Sequence, residues 1–277
     1  MQNGANVENG IRQLCPSDLD GALRLTRAAG WNQLAADWER LLFLEPEGCF
    51  ALQCDGQIAA STTVLCYGKD LAWVGMVLTA PEFRRRGFAE SLIVHALEFA
   101  ESRKIANLKL DATDSGIELY RKYGFVDECE IERWRREPGP IEPAEVSGYS
   151  PDPVYDQMNF GADRTHLLSK LAKVGAASVP EEGYAMGRPG FSAAYFGPCV
   201  AKSETVARRL LRWFLADHSE EPVFWDLFPA NKEAVRIAEE FGFSPVRRLT
   251  RMALSRASAH RIPNSADVFA IAGFELG

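Results

Sequence analysis

The stretch from Val77 to Leu92, VLTAPEFRRRGFAESL, constrains this chain more than any other. An apolar run, Leu71 to Leu78, has the composition of a strand and enters a turn holding Arg84, Arg85, Arg86 and Gly87. A run with helical apolar spacing leaves that turn: Leu92, Ile93, Ala96, Leu97 and Ala100. A strand that passes through basic residues and a glycine into a helix N-terminus builds an anion site. The first helical N–H groups have no partner in the helix, and its dipole favours negative charge. Gly87 and Ala89 leave room for a diphosphate to lie against the backbone. For these residues alone, a plain basic strand-to-helix turn is the alternative.

The pattern Arg84-x-x-Gly87-x-Ala89 after a strand resembles the acetyl-CoA pyrophosphate loop of the GNAT N-acetyltransferases. Further on, Leu119-Tyr120-Arg121-Lys122-Tyr123-Gly124-Phe125 resembles the end of that superfamily's next helix. Between them lie a helix-like segment, Phe88 to Ser102, and a β-like run, Ala106 to Asp111. Upstream, Ile11 to Cys15 has strand character, and Pro16-Ser17-Asp18-Leu19 starts a helix with the stripe Leu19, Ala22, Leu23, Leu25. A helix over 33–43 follows, then β-rich runs at 49–54 and 58–67 joined by Asp55-Gly56, a hairpin signal. The expected fold is α/β (α+β): two GNAT-like domains, each a mixed, mostly antiparallel, splayed sheet flanked by helices.

The second domain is expected from a repeat. With 277 residues the chain has room for two domains of ordinary size. Residues 138–153 form a linker rich in proline, at 138, 140, 143, 151 and 153. Displaced by 118 residues, Gly124-Phe125 falls on Gly242-Phe243, Arg133 on Arg251, Leu92 on Leu210 and Thr113 on Asn231. The expected division is therefore a catalytic domain over 1–137, the linker, and a degenerate GNAT-like domain over 154–277. In that copy Arg84 falls on Lys202, Gly87 on Thr205 and Tyr120 on Ala238. The whole resembles tandem proteins with an N-terminal GNAT domain and a divergent second one; Trp31-Asn32-Gln33 and Ile271 to Gly277 fit that subgroup.

A net charge of −7 argues against nucleic-acid or anionic-membrane partners. Six cysteines and four histidines show no paired ligand spacing, so no metal is expected. With no leader and no long apolar run, the expected location is the cytoplasm, as a monomer or homodimer.

The resemblance implies acetyl-CoA as co-substrate and direct attack by a primary amine, with no acyl-enzyme. It implies that backbone N–H groups from Arg85 to Ala89, with Phe88 and Glu90 alongside, hold the pyrophosphate, helped by the Arg84 and Arg86 side chains. Arg85 by itself also fits a solvated surface arginine. Met76, Val77 and Leu78 would pair with the pantetheine, and a backbone N–H near Val77 would polarise the thioester carbonyl. Tyr120 is the implied general acid; packing on the sheet is its other reading. For the base, Asp111 comes first and Glu47 second, against a water chain with both carboxylates structural. Thr113 stands where many members have an asparagine touching the cofactor. Trp31, Asn32, Trp38 and Trp73 are candidates for the acceptor pocket or for core packing. A small-molecule amine is the favoured acceptor; a protein lysine or N-terminus, or a non-catalytic acyl-CoA-binding role, are the alternatives.

Overall fold

The computed structural model describes residues 10–150, 152–255 and 266–277. It divides into two compact units, 1–105 and 106–277.

The first unit is an antiparallel sheet with helices on it. Strands β1 (Gly10–Gln13), β2 (Cys49–Cys54), β3 (Gln57–Tyr67) and β4 (Leu71–Thr79) pair in that order. Helices α1 (Leu19–Ala28) and α2 (Ala35–Leu44) fall between β1 and β2, and α3 (Phe88–Ser102) follows β4. Asp55 and Gly56 both take positive φ, at 51° and 76°, as a type I′ hairpin turn requires. On α1 the buried face is Gly21, Ala22, Leu25 and Thr26, whereas the expected Leu19 and Leu23 are only half-buried. The stripe is rotated because Gly21 lies against Ile58, whose Cγ1 a Cβ at 21 would meet at 2.7 Å. On α3, Leu92, Ile93, Ala96 and Ala100 are buried, as their spacing predicts.

The second unit opens with β5 (Asn107–Ala112), α4 (Asp114–Lys122) and β6 (Val126–Arg136). Then come β7 (Ser147–Gly148), α5 (Pro153–Phe160), α6 (Thr165–Leu171), β8 (Ala176–Val179), β9 (Gly183–Arg188) and β10 (Ala194–Ala201). It closes with α7 (Glu204–Asp217), β11 (Val223–Leu227), α8 (Lys232–Glu240), β12 (Ser244–Ser255) and β13 (Val268–Ala270). The strand order is β5-β12-β6-β11-β10-β9-β8-β7, with β13 on β10. Only β10 and β11 are parallel among these pairings. The core packs Phe196 against Phe214 and Trp225, and Trp225 against Phe243, with ring centroids 5.4–5.5 Å apart. Each such ring stabilises the fold by about 1.5–3 kcal/mol relative to exposure.

The compact units and the sequence repeat have different boundaries. The units meet before β5 rather than at the proline-rich linker, because β12, from the second half of the repeat, lies between β5 and β6. In the β6–β12 pairing Leu249 lies opposite Ile131, its own counterpart under the 118-residue displacement. Glu132 opposite Arg248 and Glu130 opposite Thr250 flank that pair evenly. A local two-fold relation therefore passes through Ile131 and Leu249.

Candidate active site

The arginine turn has the geometry its sequence predicts. A 3-10 turn, Pro81–Phe83, leads from β4 into Arg84, Arg85 and Arg86, all exposed. Arg85 and Gly87 take φ of 62° and 80°, so the chain coils tightly before α3 begins. Gly87 is the N-cap of α3, and no side chain caps that terminus. A Cβ built on Gly87 would meet nothing within 4 Å, so the space over the helix end is open. The floor is aromatic: Phe83 and Phe88 stack at 6.1 Å, and the Arg86 guanidinium lies 5.1 Å from the Phe83 ring. An uncapped helix N-terminus beside exposed guanidinium groups fits a diphosphate.

Just upstream, β4 carries a bulge. Ser61 lies opposite Leu78 and Thr63 opposite Gly75, so Thr62 alone faces both Met76 and Val77. Met76 takes φ of 50°, unusual for a residue with a side chain. The carbonyl it turns aside accepts a hydrogen bond from Ser61 Oγ at 2.8 Å. Backbone held this way commonly marks a site rather than a scaffold.

The tryptophans separate by burial. Trp38 and Trp73 are in the core, at 0% and 1% exposure, whereas Trp31 is half-buried in the turn before α2 and Asn32 beside it is buried. The Trp38 indole N–H has no hydrogen-bond partner among the described residues. Glu47 is held by the Arg103 guanidinium. It lines a pocket of about 310 Å³ with Phe50, His95, Glu98 and Phe99.

In the second unit, Tyr120 lies on α4 with its ring edge-on to Phe125 at 6.0 Å. Gly116 makes room for it, since a Cβ there would come within 2.9 Å of the ring. Burial, acting alone, pushes the phenol well above its ordinary value. The hydroxyl makes no hydrogen bond among the described residues. Thr113 is the N-cap residue of α4 but does not cap it; its Oγ1 lies 3.0 Å from Ser115 Oγ.

Asp111 has a partner the sequence did not announce. Arg251, opposite it on β12, donates from Nε and Nη2 to the two carboxylate oxygens at 2.8 and 3.0 Å. The Asp111 side chain is fully buried. A carboxylate enclosed and doubly bonded in this way has no open lone pair facing solvent, so the geometry favours the structural reading of Asp111 over the base. The pairing recurs at Arg133, the counterpart of Arg251. Its Nε and Nη2 reach both oxygens of Asp226 on β11 at 2.7 Å each.

The second copy keeps the framework but differs at the bulge and at the helix N-terminus, although Ala207 still stands where Ala89 does. Its β10 bulge matches that of β4: Phe196 opposes Gly187 and Cys199 opposes Ala185, leaving Gly197 and Pro198 against Met186. Pro198 stands where Val77 stands in the first copy, and it has no N–H. The N-cap of α7 is Ser203, not the expected Thr205, because the repeat slips by two residues here. Ser203 accepts from Val206 N–H, using a group that is left uncapped in α3. Beyond the bulge, β10 pairs with β13 instead of β11. The segment carrying β13 is pinned by Ile271 N–H to Asp226 O (3.1 Å) and by Trp225 Nε1 to Phe269 O (2.8 Å). Asn231, which does cap α8, donates to the carbonyls of Ala266 and Val268 at 2.9 and 3.1 Å. The chain's own segment thus fills the gap where β10 and β11 part.

Among the described residues no group of three or more His, Cys, Asp or Glu is arranged to hold a metal. Nor is any helix there long and apolar enough to cross a membrane.

Comparison with known proteins agrees with this architecture. Residues 19–125 match the family described as "Acetyltransferase (GNAT) family", and 153–266 the one described as "Acetyltransferase (GNAT) domain". The chain is a tandem member of the GNAT acetyltransferases, with one domain in each half. A provisionally assigned acetyltransferase of Pyrococcus horikoshii shares the fold over 100% of this chain and 99% of its own, with a TM-score of 0.82 at 23% identity. A tandem GNAT protein from the clavulanic acid biosynthesis pathway aligns over 91% of this chain and 100% of its own, with a TM-score of 0.62 at 17% identity. A curated relative, holothin acyltransferase of Pseudoalteromonas sp. (strain SANK 73390), is 29% identical over 106 residues. That match takes in 38% of this chain and 35% of the relative, so the chain spans about a third of that protein's length.

Proposed function

We propose that the first domain transfers an acetyl group from acetyl-CoA to the primary amine of a small molecule, by direct attack in a ternary complex. The observation that carries this reading is the uncapped, glycine-initiated N-terminus of α3 behind three exposed arginines. Acetyl-CoA, as co-substrate, supplies the activated thioester. The chain's part is to bind and orient it: Arg84 to Glu90 hold the pyrophosphate, and Met76, Val77 and Leu78 offer backbone groups at the bulge. Tyr120 keeps its proton through the neutral range and gives it to the departing sulfur. With Asp111 enclosed by Arg251, the amine loses its proton to water. Trp31 and Asn32 line the acceptor side; Trp38 and Trp73 support it from the core. The relative's name gives holothin as its acceptor, which favours a small molecule over a protein. A screen of primary amines with acetyl-CoA, followed by thiol release, tests the reading. Acetylation confined to protein lysines or N-termini, or no release with any amine, would refute it.

The second domain holds no acyl-CoA in this proposal, since Pro198, Ser203 and the β13 segment take up its donors and its groove. Calorimetry is expected to give one acetyl-CoA per chain. Lys202→Ala is expected to leave the affinity within about twofold, an energy change under about 0.5 kcal/mol. A second site of similar affinity would contradict this.

A further inference from the structure

We propose that Arg251, a residue of the second domain, is a positioning residue for acetyl transfer in the first. The proposal rests on the acetyltransferase reading above. Strand β12 contacts the chain on either side of the Tyr120 helix, at Asp111 before it and at Gly124 after it. Before the helix, Arg251 clamps Asp111, the penultimate residue of β5, from which the chain runs through Thr113 directly into α4. After it, Leu254 Cδ1 lies 3.4 Å from where a Cβ on Gly124 would stand, under the turn that ends α4. Tyr120 sits between these two supports, and among the described residues its hydroxyl has no hydrogen bond to hold it. Its position therefore depends on how the helix is seated. A guanidinium fork binding both carboxylate oxygens fixes direction as well as distance, which a single ammonium cannot do.

The structure supplies its own control. Arg133 and Asp226 repeat the clamp, with Asp226 likewise penultimate in its strand, β11. The helix that follows is α8, where Ala238 replaces the tyrosine. A purely structural role predicts equal consequences for the two clamps; a positioning role predicts unequal ones.

The test compares Arg251→Met, Arg251→Lys and Arg133→Met in the full chain. Arg251→Met is expected to lower kcat at least tenfold, with acetyl-CoA affinity kept within about twofold, and Arg251→Lys to recover part of the loss. Arg133→Met, compared at equal folded fraction, should keep kcat within about twofold. Amide exchange gives a readout independent of activity. It should quicken over 114–122 in Arg251→Met and over 232–240 in Arg133→Met. Equal kcat losses in the two Met variants, or unchanged protection of 114–122, would overturn the proposal. If Arg251→Met does not fold, Arg251→Lys carries the comparison: wild-type kcat and wild-type protection in it would be equally decisive. Exchange that follows this pattern in a protein inactive toward every amine would instead count against the acetyltransferase reading.

Discussion

Gly87→Val is expected to abolish acetyl-CoA binding in a protein that still folds. Gly87 has φ of 80°, and valine there is strained by about 1–2 kcal/mol. That is a fraction of the 5–15 kcal/mol that typically separates a folded domain from its unfolded chain. Apart from its chain neighbours, a Cβ at this position has no described atom within 4 Å, so there is open space for a side chain to enter. The valine methyl groups enter the space over the α3 terminus assigned to the pyrophosphate. Hydrogen bonds to a charged group are each worth about 1.5–3 kcal/mol, so losing two weakens binding by about 10²-fold or more. Gly87→Ala separates the causes: it shares the backbone strain but adds a single carbon, and should cost far less affinity. Calorimetry on both variants, with melting curves to verify folding, measures the effect. Undiminished binding by folded Gly87→Val would remove the arginine turn from the cofactor site.

What the sequence disclosed and what it hid follow from the range of the interactions. The turn at Arg84 to Gly87 was legible because a left-handed residue between an apolar strand and an apolar helix leaves a local mark. The paired glycines 124 and 242 were legible for the same reason: each ends a helix with positive φ, at 87° and 79°. The insertion of β12 between β5 and β6 was not. In a duplicated chain, β6 and β12 have like patterns, and either could complete either domain. Only the tertiary structure records which strand lies where. The Asp111–Arg251 pair spans 140 residues for the same reason, and no local pattern couples its members. A uniform displacement of 118 points to Thr205 rather than Ser203, because that displacement does not hold across the whole repeat. In sequence, the C-terminal segment shows only a likeness to a subgroup. That it fills its own domain's groove depends on where β10 and β11 part, which composition does not reveal.

The reciprocal clamps bear on why a second copy would persist if, as proposed, it holds no cofactor. Burial opposes charge on Arg251, and its pairing with Asp111 outweighs that, holding the guanidinium above its ordinary value. Breaking a buried pair by removing one partner costs about 3–5 kcal/mol, because the other charge is left enclosed and uncompensated. The second domain therefore cannot be discarded without exposing β5 and β6 along their paired edges and stranding Asp111. Its contribution to the proposed reaction is structural support, with the chemistry left to residues of the first.

Tyr120→Phe is expected to lower kcat by about 10²–10⁴-fold, the usual worth of a general acid, while sparing both stability and acetyl-CoA affinity. Stability is spared because the hydroxyl has no hydrogen-bond partner among the described residues to strand. Phenylalanine keeps the ring and its edge-on contact with Phe125, so the variant should melt close to the wild type. The neighbouring Gly116 leaves room for the ring, since a Cβ there would come within 2.9 Å of it. Burial raises the phenol above its ordinary value of about 10, so the proton is fully present at neutral pH and is lost only above that value. Any fall in the wild-type rate below pH 9 must then come from another group, and should persist in Tyr120→Phe. The measurement is turnover under conditions where acetyl transfer limits the rate, with thiol release followed across pH. A variant that turns over like the wild type would return Tyr120 to packing and leave the sulfur to be protonated by water.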